Sequence, residues 1–109
     1  MKVQHFKTNS KGKEIEIKES DGYFIVPPEM DGYTCFETRY KVDSGTGSFT
    51  MHIRDSETSK ASTTVNSTSN VTWNHADFVI NTDDEIDFEI TAVATSGLTG
   101  ISATIRCEP

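Results

Sequence analysis

Phe78-Val79-Ile80-Asn81, then Thr82-Asp83-Asp84, then Glu85-Ile86-Asp87-Phe88-Glu89-Ile90-Thr91-Ala92-Val93-Ala94 run consecutively through the last third of a chain of 109 residues. The final run places Ile86, Phe88, Ile90 and Ala92 on one side and Glu85, Asp87, Glu89 and Thr91 on the other. Alternation sustained over that length is the pattern of a β-strand with one face in a core and one in water. The polar Asn81–Asp84 segment is turn material, so the two apolar runs are expected to meet there as a hairpin.

The same pattern recurs outward from this stretch. Ile15 and Ile17 alternate within Glu14–Lys18 and are expected to face inward, and Asp21-Gly22 then supplies a hairpin signal. Tyr23–Val26 is a short apolar strand stopped by Pro27-Pro28, which cannot donate to a ladder. Tyr33–Val42 and Ser48–Arg54 read as strands, the second with Phe49, Met51 and Ile53 inward and Thr50, His52 and Arg54 outward. Lys60–Asn66 is a Thr/Ser-rich strand, Val71–Trp73 a short extended piece, Asn74-His75-Ala76 a bulge or corner, and Ile101–Cys107 the last strand. Residues 1–7 are either a strand or, with the turn cluster that follows, an extended arm over residues 1–12.

No helical periodicity is present. Eight or nine short strands separated by regular turn signals imply one all-β domain over residues 1–109, an antiparallel two-sheet β-sandwich. Jelly-roll topology is the first choice. An immunoglobulin-like sandwich is the second, although Trp73 lies far beyond Cys35 and position 105 is Ile rather than Tyr. A hydrophobic content of 34 % suits a thin two-layer protein in which alternate strand residues face solvent.

Net charge is −7, which argues against nucleic acid as partner. Residues 1–18 carry +3 through Lys2, Lys7, Lys11, Lys13 and Lys18 against two glutamates, while residues 19–109 carry −10. A basic leading segment on an acidic body is either accidental or a docking element for an acidic surface of a neighbouring subunit. On that second reading Lys2, Lys7, Lys11 and Lys13 would meet the wall formed by Asp87 and Glu89. No apolar run reaches membrane-span length, so membrane insertion is not expected. Nothing resembles a signal peptide; the expectation is a cytoplasmic protein or a component of a virion assembled in the host cytoplasm.

Candidate chemistry is sparse. Asp83, Asp84, Glu85, Asp87 and Glu89 form the densest polar cluster, but their spacing matches no calcium loop, and a solvated strand face explains them. No cofactor is expected, with calcium at this cluster as the alternative. His5, His52 and His75 are scattered and show no metal-ligand spacing with the cysteines. Cys35 and Cys107 would close a long loop as a disulfide worth roughly 4 kcal/mol. Strand phase argues for two free thiols instead: Cys107 shares parity with Ile101, Ala103 and Ile105, whereas Cys35 opposes Phe36, Tyr40 and Val42 unless a bulge resets the strand. Carboxylate pairs such as Asp77 with Asp87 suit glycoside hydrolysis in principle, yet no nucleophile, phosphate-loop or catalytic motif accompanies them, and the chain reads as a non-enzyme. Two N-glycosylation triplets, at Asn66 and Asn70, read as accidental in so Ser/Thr-rich a chain.

Phe24, Phe36, Phe49, Phe78 and Phe88 match core parity. Tyr23, Tyr33 and Trp73 fall outside the clearest core phases, near turns. They are candidate stacking platforms for surface glycans, or, for Trp73, a cap on one end of the core.

From Val71-Thr72-Trp73, through Asn81–Ile90, to Gly97-Leu98-Thr99-Gly100-Ile101, the chain resembles the closing strands of small jelly-roll modules. Such modules occur in phage tail fibres, capsid decoration proteins and carbohydrate-binding modules. The resemblance implies a sandwich that binds or assembles and does not catalyse. Two functions follow as expectations. One is a virion structural protein, a capsid decoration or tail-associated surface module that assembles with copies of itself or other virion proteins. The other is a carbohydrate-binding or host-receptor recognition module using exposed aromatics.

Overall fold

Alternating apolar residues in short segments leave the chain few options other than sheets, and ten strands form among the described residues. The computed structural model describes residues 2–8 and 12–109, without the side chains of Lys2, Val3 and Thr8. The strands are β1 Lys2–Thr8, β2 Lys18–Glu19, β3 Phe24–Ile25, β4 Thr34–Ser44, β5 Ser48–Asp55, β6 Thr58–Val65, β7 Val71–Trp73, β8 Phe78–Val79, β9 Glu85–Thr95 and β10 Thr99–Glu108. They build two antiparallel sheets. The first has the order β1-β10-β4-β7, with β8 also on β4; the second has β2-β9-β5-β6, with β3 also on β9. The all-β sandwich expected from alternation is the fold that forms.

The pairing is nested. β1 pairs with β10, β2 and β3 with β9, β4 with β7 and β8, and β5 with β6, as in one long hairpin. Rolling that hairpin brings β10 onto β4 and β9 onto β5. Its tip is the tight Ser56-Glu57 turn, where both residues have positive φ (49° and 70°) although neither is the glycine or asparagine usual there. Backbone bonds to the neighbouring strand hold the turn: Ser56 N–H donates to Glu85 O at 2.7 Å.

Phe49, Met51, Ile53, Ile86, Phe88 and Ile90 of the second sheet face Val42, Ile101, Ala103, Ile105 and Phe6 of the first, all buried. Each large apolar side chain so buried contributes about 1.5–3 kcal/mol. The Phe6 and Phe88 rings meet edge to face at 5.0 Å and join the two layers. The N-terminal residues are thus part of the sandwich, because β1 pairs with β10 along its whole length.

Several expectations fail for identifiable reasons. Phe78–Ala94 is not a hairpin: β8 lies on β4 and β9 lies in the other sheet. Asn81–Asp84 does reverse the chain, with Asp84 N–H donating to Asn81 O at 3.0 Å, but it carries the chain between layers. Alternation says which side faces the core and is silent on which sheet a strand joins. Asp21-Gly22 also makes no hairpin, since β2 and β3 occupy successive lengths of the same β9 edge. Ile17 is 66 % exposed because β2 begins only at Lys18, whereas Ile15 is buried. Ala92 is exposed because the register skips Thr91 between β5 and β9, which turns Ala92 outward and brings Val93 opposite Phe49.

The strand phase that set Cys35 and Cys107 on different sides is overturned by a bulge. Between β4 and β10 the register passes from Glu37↔Arg106 to Cys35↔Cys107, leaving Phe36 unpaired. Phe36 therefore leaves the core and lies under the Arg106 guanidinium, 5.6 Å from its ring centroid. Cys35 turns inward. Both cysteines are buried free thiols directly opposite one another. A hydrogen bond shared with Cys107, together with burial, pushes the Cys35 thiol up from its ordinary pKa.

Candidate functional site

The outer face of the second sheet is built around one cation. β5 points Arg54 outward at the register position of Asp87 on β9, and Glu89 follows two residues along. Arg54 Nε donates to Asp87 Oδ1 at 2.9 Å, and Nη2 donates to Asp87 Oδ2, a two-pronged contact. Nη1 reaches Glu89 Oε2 at 3.2 Å, and Nη2 also reaches Glu19 Oε1 at 3.0 Å. Arg54 and Asp87 are buried although their parity is outward. The Asp87 hydrogen bond is the chief reason the guanidinium is held even more firmly protonated than usual. Asp87 and Glu89, expected as an open acidic wall, are thus bound within their own sheet.

At the last residue of β5, Asp55 makes no such ion pair among the described residues; Ser56 Oγ donates to it at 3.2 Å, and Lys60 acts on it only through its charge. Burial, reinforced by the Asp84 carboxyl, raises the Asp55 pKa to about 6. Among the described residues, no group of three or more His, Cys, Asp and Glu side chains is arranged to hold a metal ion.

One flank of the sandwich is apolar and charged at once. Ile17, Tyr23 and Ile25 are 66 %, 60 % and 51 % exposed, three of the four large apolar side chains left exposed among the described residues; the fourth is Val79. They lie at the β2–β3 edge, where Tyr23 also lines a small cavity of about 110 Å³ with Glu19, Arg54, Glu57, Glu85 and Asp87. β1 lies alongside this edge: Asp21 N–H donates to Lys7 O at 2.7 Å. Lys7 and Lys13 are exposed; Lys11 and the Lys2 side chain lie outside the described residues.

The outer face of the first sheet has the opposite character. Register places His5, Thr104, Arg39 and Thr72 in one row and Lys7, Ser102 and Lys41 in the next. Glu37, a carboxylate on this face, accepts from Arg39 Nε and Arg106 Nη1, each at 3.0 Å. Arg106 first, then Arg39, hold the Glu37 carboxyl below its ordinary pKa. A groove of about 340 Å³ runs across β10, β4 and the start of β7, lined by Arg39, Tyr40, Lys41, Asn70, Val71, Thr72, Ser102 and Thr104.

The three candidate aromatics do not form a common platform. Trp73 is half-buried against the core, its ring edge to face with His75 at 5.0 Å. His75 is buried, stacks on Phe78, and lies 3.1 Å from Thr38 Oγ1 through Nε2; its Nδ1 lies 3.0 Å from Ala76 O and donates to that carbonyl. Trp73 therefore packs against the core from the β7 edge of the first sheet. Tyr33 also packs against the core, leaving Tyr23 as the openly exposed aromatic of the three. Asp77 precedes β8 in the first sheet, while Asp87 lies on the outer face of the second, bound by Arg54. Sequence parity could have located the Arg54 group, since β5 and β9 carry opposite charges at outward positions, but pairing register is needed to bring them together. The first-sheet groove has no linear signature at all, because its residues come from three strands distant in sequence. No protein-family model matches this chain, and no curated protein matches it in sequence.

Proposed function

We propose that this protein is a non-catalytic structural module, a capsid decoration or tail-associated virion protein that works by assembling with copies of itself or with other virion proteins. Its nested strand pairing supports a jelly-roll topology over an immunoglobulin-like one. In-sheet neighbours other than β5 and β6 are distant in the chain, whereas the immunoglobulin arrangement needs several consecutive hairpins. The observation that carries the assembly reading is the β2–β3 flank, where Ile17, Tyr23 and Ile25 stand exposed along an edge. Large apolar side chains exposed in a row along a sheet edge mark a candidate contact surface.

The flank is also self-complementary in charge. Lys7 of β1 lies beside an edge bearing Glu19 and Glu85, so a twofold axis would bring the lysines of one copy to the carboxylates and apolar residues of the other. The lysine element is Lys7 and Lys13 acting from within the folded sandwich. Deleting residues 1–10 would remove an edge strand, so point substitutions are the proper test. Sedimentation at increasing concentration should show self-association for the native chain and a monomer for Ile25→Lys. A native chain that stays monomeric at its highest soluble concentration would overturn assembly through this flank.

A further inference from the structure

We propose that the groove on the outer face of the first sheet binds an acidic saccharide, its carboxylate or sulfate held by Arg39 and Lys41 and its hydroxyls by Asn70, Thr72, Ser102 and Thr104. The site is separate from the β2–β3 flank and stands or falls independently of assembly there.

The groove exists because β7 is short. It covers β4 only from Thr38 to Tyr40, so beyond Tyr40 the edge of β4 is open and Asn70 stands where β7 begins. Its volume of about 340 Å³ is at the small end of the range of roughly 300–1,000 Å³ typical of ligand sites.

Charge selects the ligand's sign. The chain carries −7 overall, yet among the described residues no carboxylate lines this groove. Glu37 uses only Nε of Arg39, so it orients the guanidinium while Nη1 and Nη2 remain for a ligand. A planar fork of this kind matches a carboxylate or sulfate geometrically, and Lys41, two residues along the same face, adds a point charge about 7 Å away.

The remaining lining selects the ligand's class. Thr72, Ser102 and Thr104 carry hydroxyls and Asn70 an amide, groups that both donate and accept. A bare inorganic anion needs donors only. A polyhydroxylated molecule needs both, distributed around the charged point. Register supplies that distribution: Arg39 has Thr72 on one side and Thr104 on the other, and Lys41 has Ser102 beside it. Thr104 Oγ1 is further positioned by His5 Nδ1 at 3.0 Å. Lys41, Asn70, Thr72 and Ser102 make no side-chain hydrogen bond or ion pair with another described residue. Their polar groups are therefore not committed to holding the fold.

Affinity electrophoresis of the native chain tests the proposal in gels containing polygalacturonate, dextran sulfate, neutral dextran or polyglutamate. Retardation by polygalacturonate identifies a carboxylated sugar as the ligand, retardation by dextran sulfate a sulfated one, and either supports the site. Arg39→Gln and Lys41→Ala should each weaken that binding about tenfold, the loss of one charge-assisted contact. The Thr72→Val/Ser102→Ala pair should weaken it as well, with melting temperature unchanged in this pair and in Lys41→Ala; Arg39→Gln, which also takes one of two cations from the buried Glu37 carboxylate, should melt somewhat lower. Ile25→Lys, which disrupts the assembly flank, should bind like the native chain. Equal retardation by polyglutamate would reduce the groove to a general cationic surface and overturn the proposal, as would no retardation by either acidic polysaccharide.

Discussion

Arg54 on the second sheet is ringed by Asp87, Glu89 and Glu19, with each of its three guanidinium nitrogens bonded to a carboxylate of its own sheet. Lys41 on the first sheet occupies a comparable outward position on a central strand, yet no acid meets it among the described residues. Both faces are read from the same alternating pattern, and both residues are cations between two neighbouring strands. What separates them is register. β9 brings Asp87 opposite Arg54, whereas β10 brings Ser102 opposite Lys41. The second face has thus committed Arg54 to the fold, whereas on the first, where Glu37 holds Arg39 and Arg106, Lys41 stays uncommitted among the described residues.

The largest effect should come from breaking the closed face. Arg54→Met keeps the aliphatic stem but strands the buried Asp87 carboxylate beside Glu89 and Glu19, and losing one partner of a buried pair costs about 3–5 kcal/mol. Urea unfolding at neutral pH should register a loss of that order. The deficit should shrink as pH falls, because the stranded carboxylates can then take up protons. Adding Asp87→Leu to Arg54→Met should restore much of the stability, since no buried charge is then left alone. A single variant as stable as the native chain would mean that the ion group is ornamental and the contrast between the faces unreal.

A smaller effect is expected at Asp55, a buried carboxyl of the second sheet with no ion pair among the described residues. Its pKa is raised to about 6 by burial and by Asp84, above that of an unfolded chain. Between those two values the folded state binds more protons than the unfolded one, so stability falls as pH rises through this window. A shift of about two units corresponds to about 3 kcal/mol at most, fully lost above pH 6. Asp55→Asn should accordingly be more stable than the native chain at pH 8 and should equal it near pH 4. Parallel stability curves for the two proteins across pH 4–8 would show that Asp55 titrates normally.

This contrast between faces marks how far the sequence could be read. Side-chain direction was legible wherever alternation ran unbroken: Phe49, Met51 and Ile53 in, His52 and Arg54 out. It failed where an extra residue entered a strand, at Phe36 and Thr91, because a bulge reverses phase without a distinctive residue to announce it. Partnership between strands was less legible still. Phe78, Ile80 and Ile86 bury themselves equally well across an arch as across a hairpin, so their pattern could not say that β8 and β9 belong to different sheets. The Arg54 cluster and the Arg39–Lys41 groove both depend on such long-range pairings. Tyr23 could be singled out as an aromatic near a turn, but its separation from Trp73 and Tyr33 could not.

The smallest effect on stability should come from the open face, and its smallness is the informative point. Lys41→Ala removes an exposed side chain with no described ion pair, and surface substitutions of that kind change stability by no more than about 0.5 kcal/mol. Denaturant unfolding should therefore place Lys41→Ala with the native chain, while Arg54→Met unfolds far earlier. Were Lys41→Ala to lose more than about 1 kcal/mol, the lysine would be part of the structural charge system after all. An unchanged midpoint together with weakened retention by an acidic polysaccharide would instead divide the two faces by role: carboxylates and Arg54 fixing one sheet, Arg39 and Lys41 held in readiness on the other.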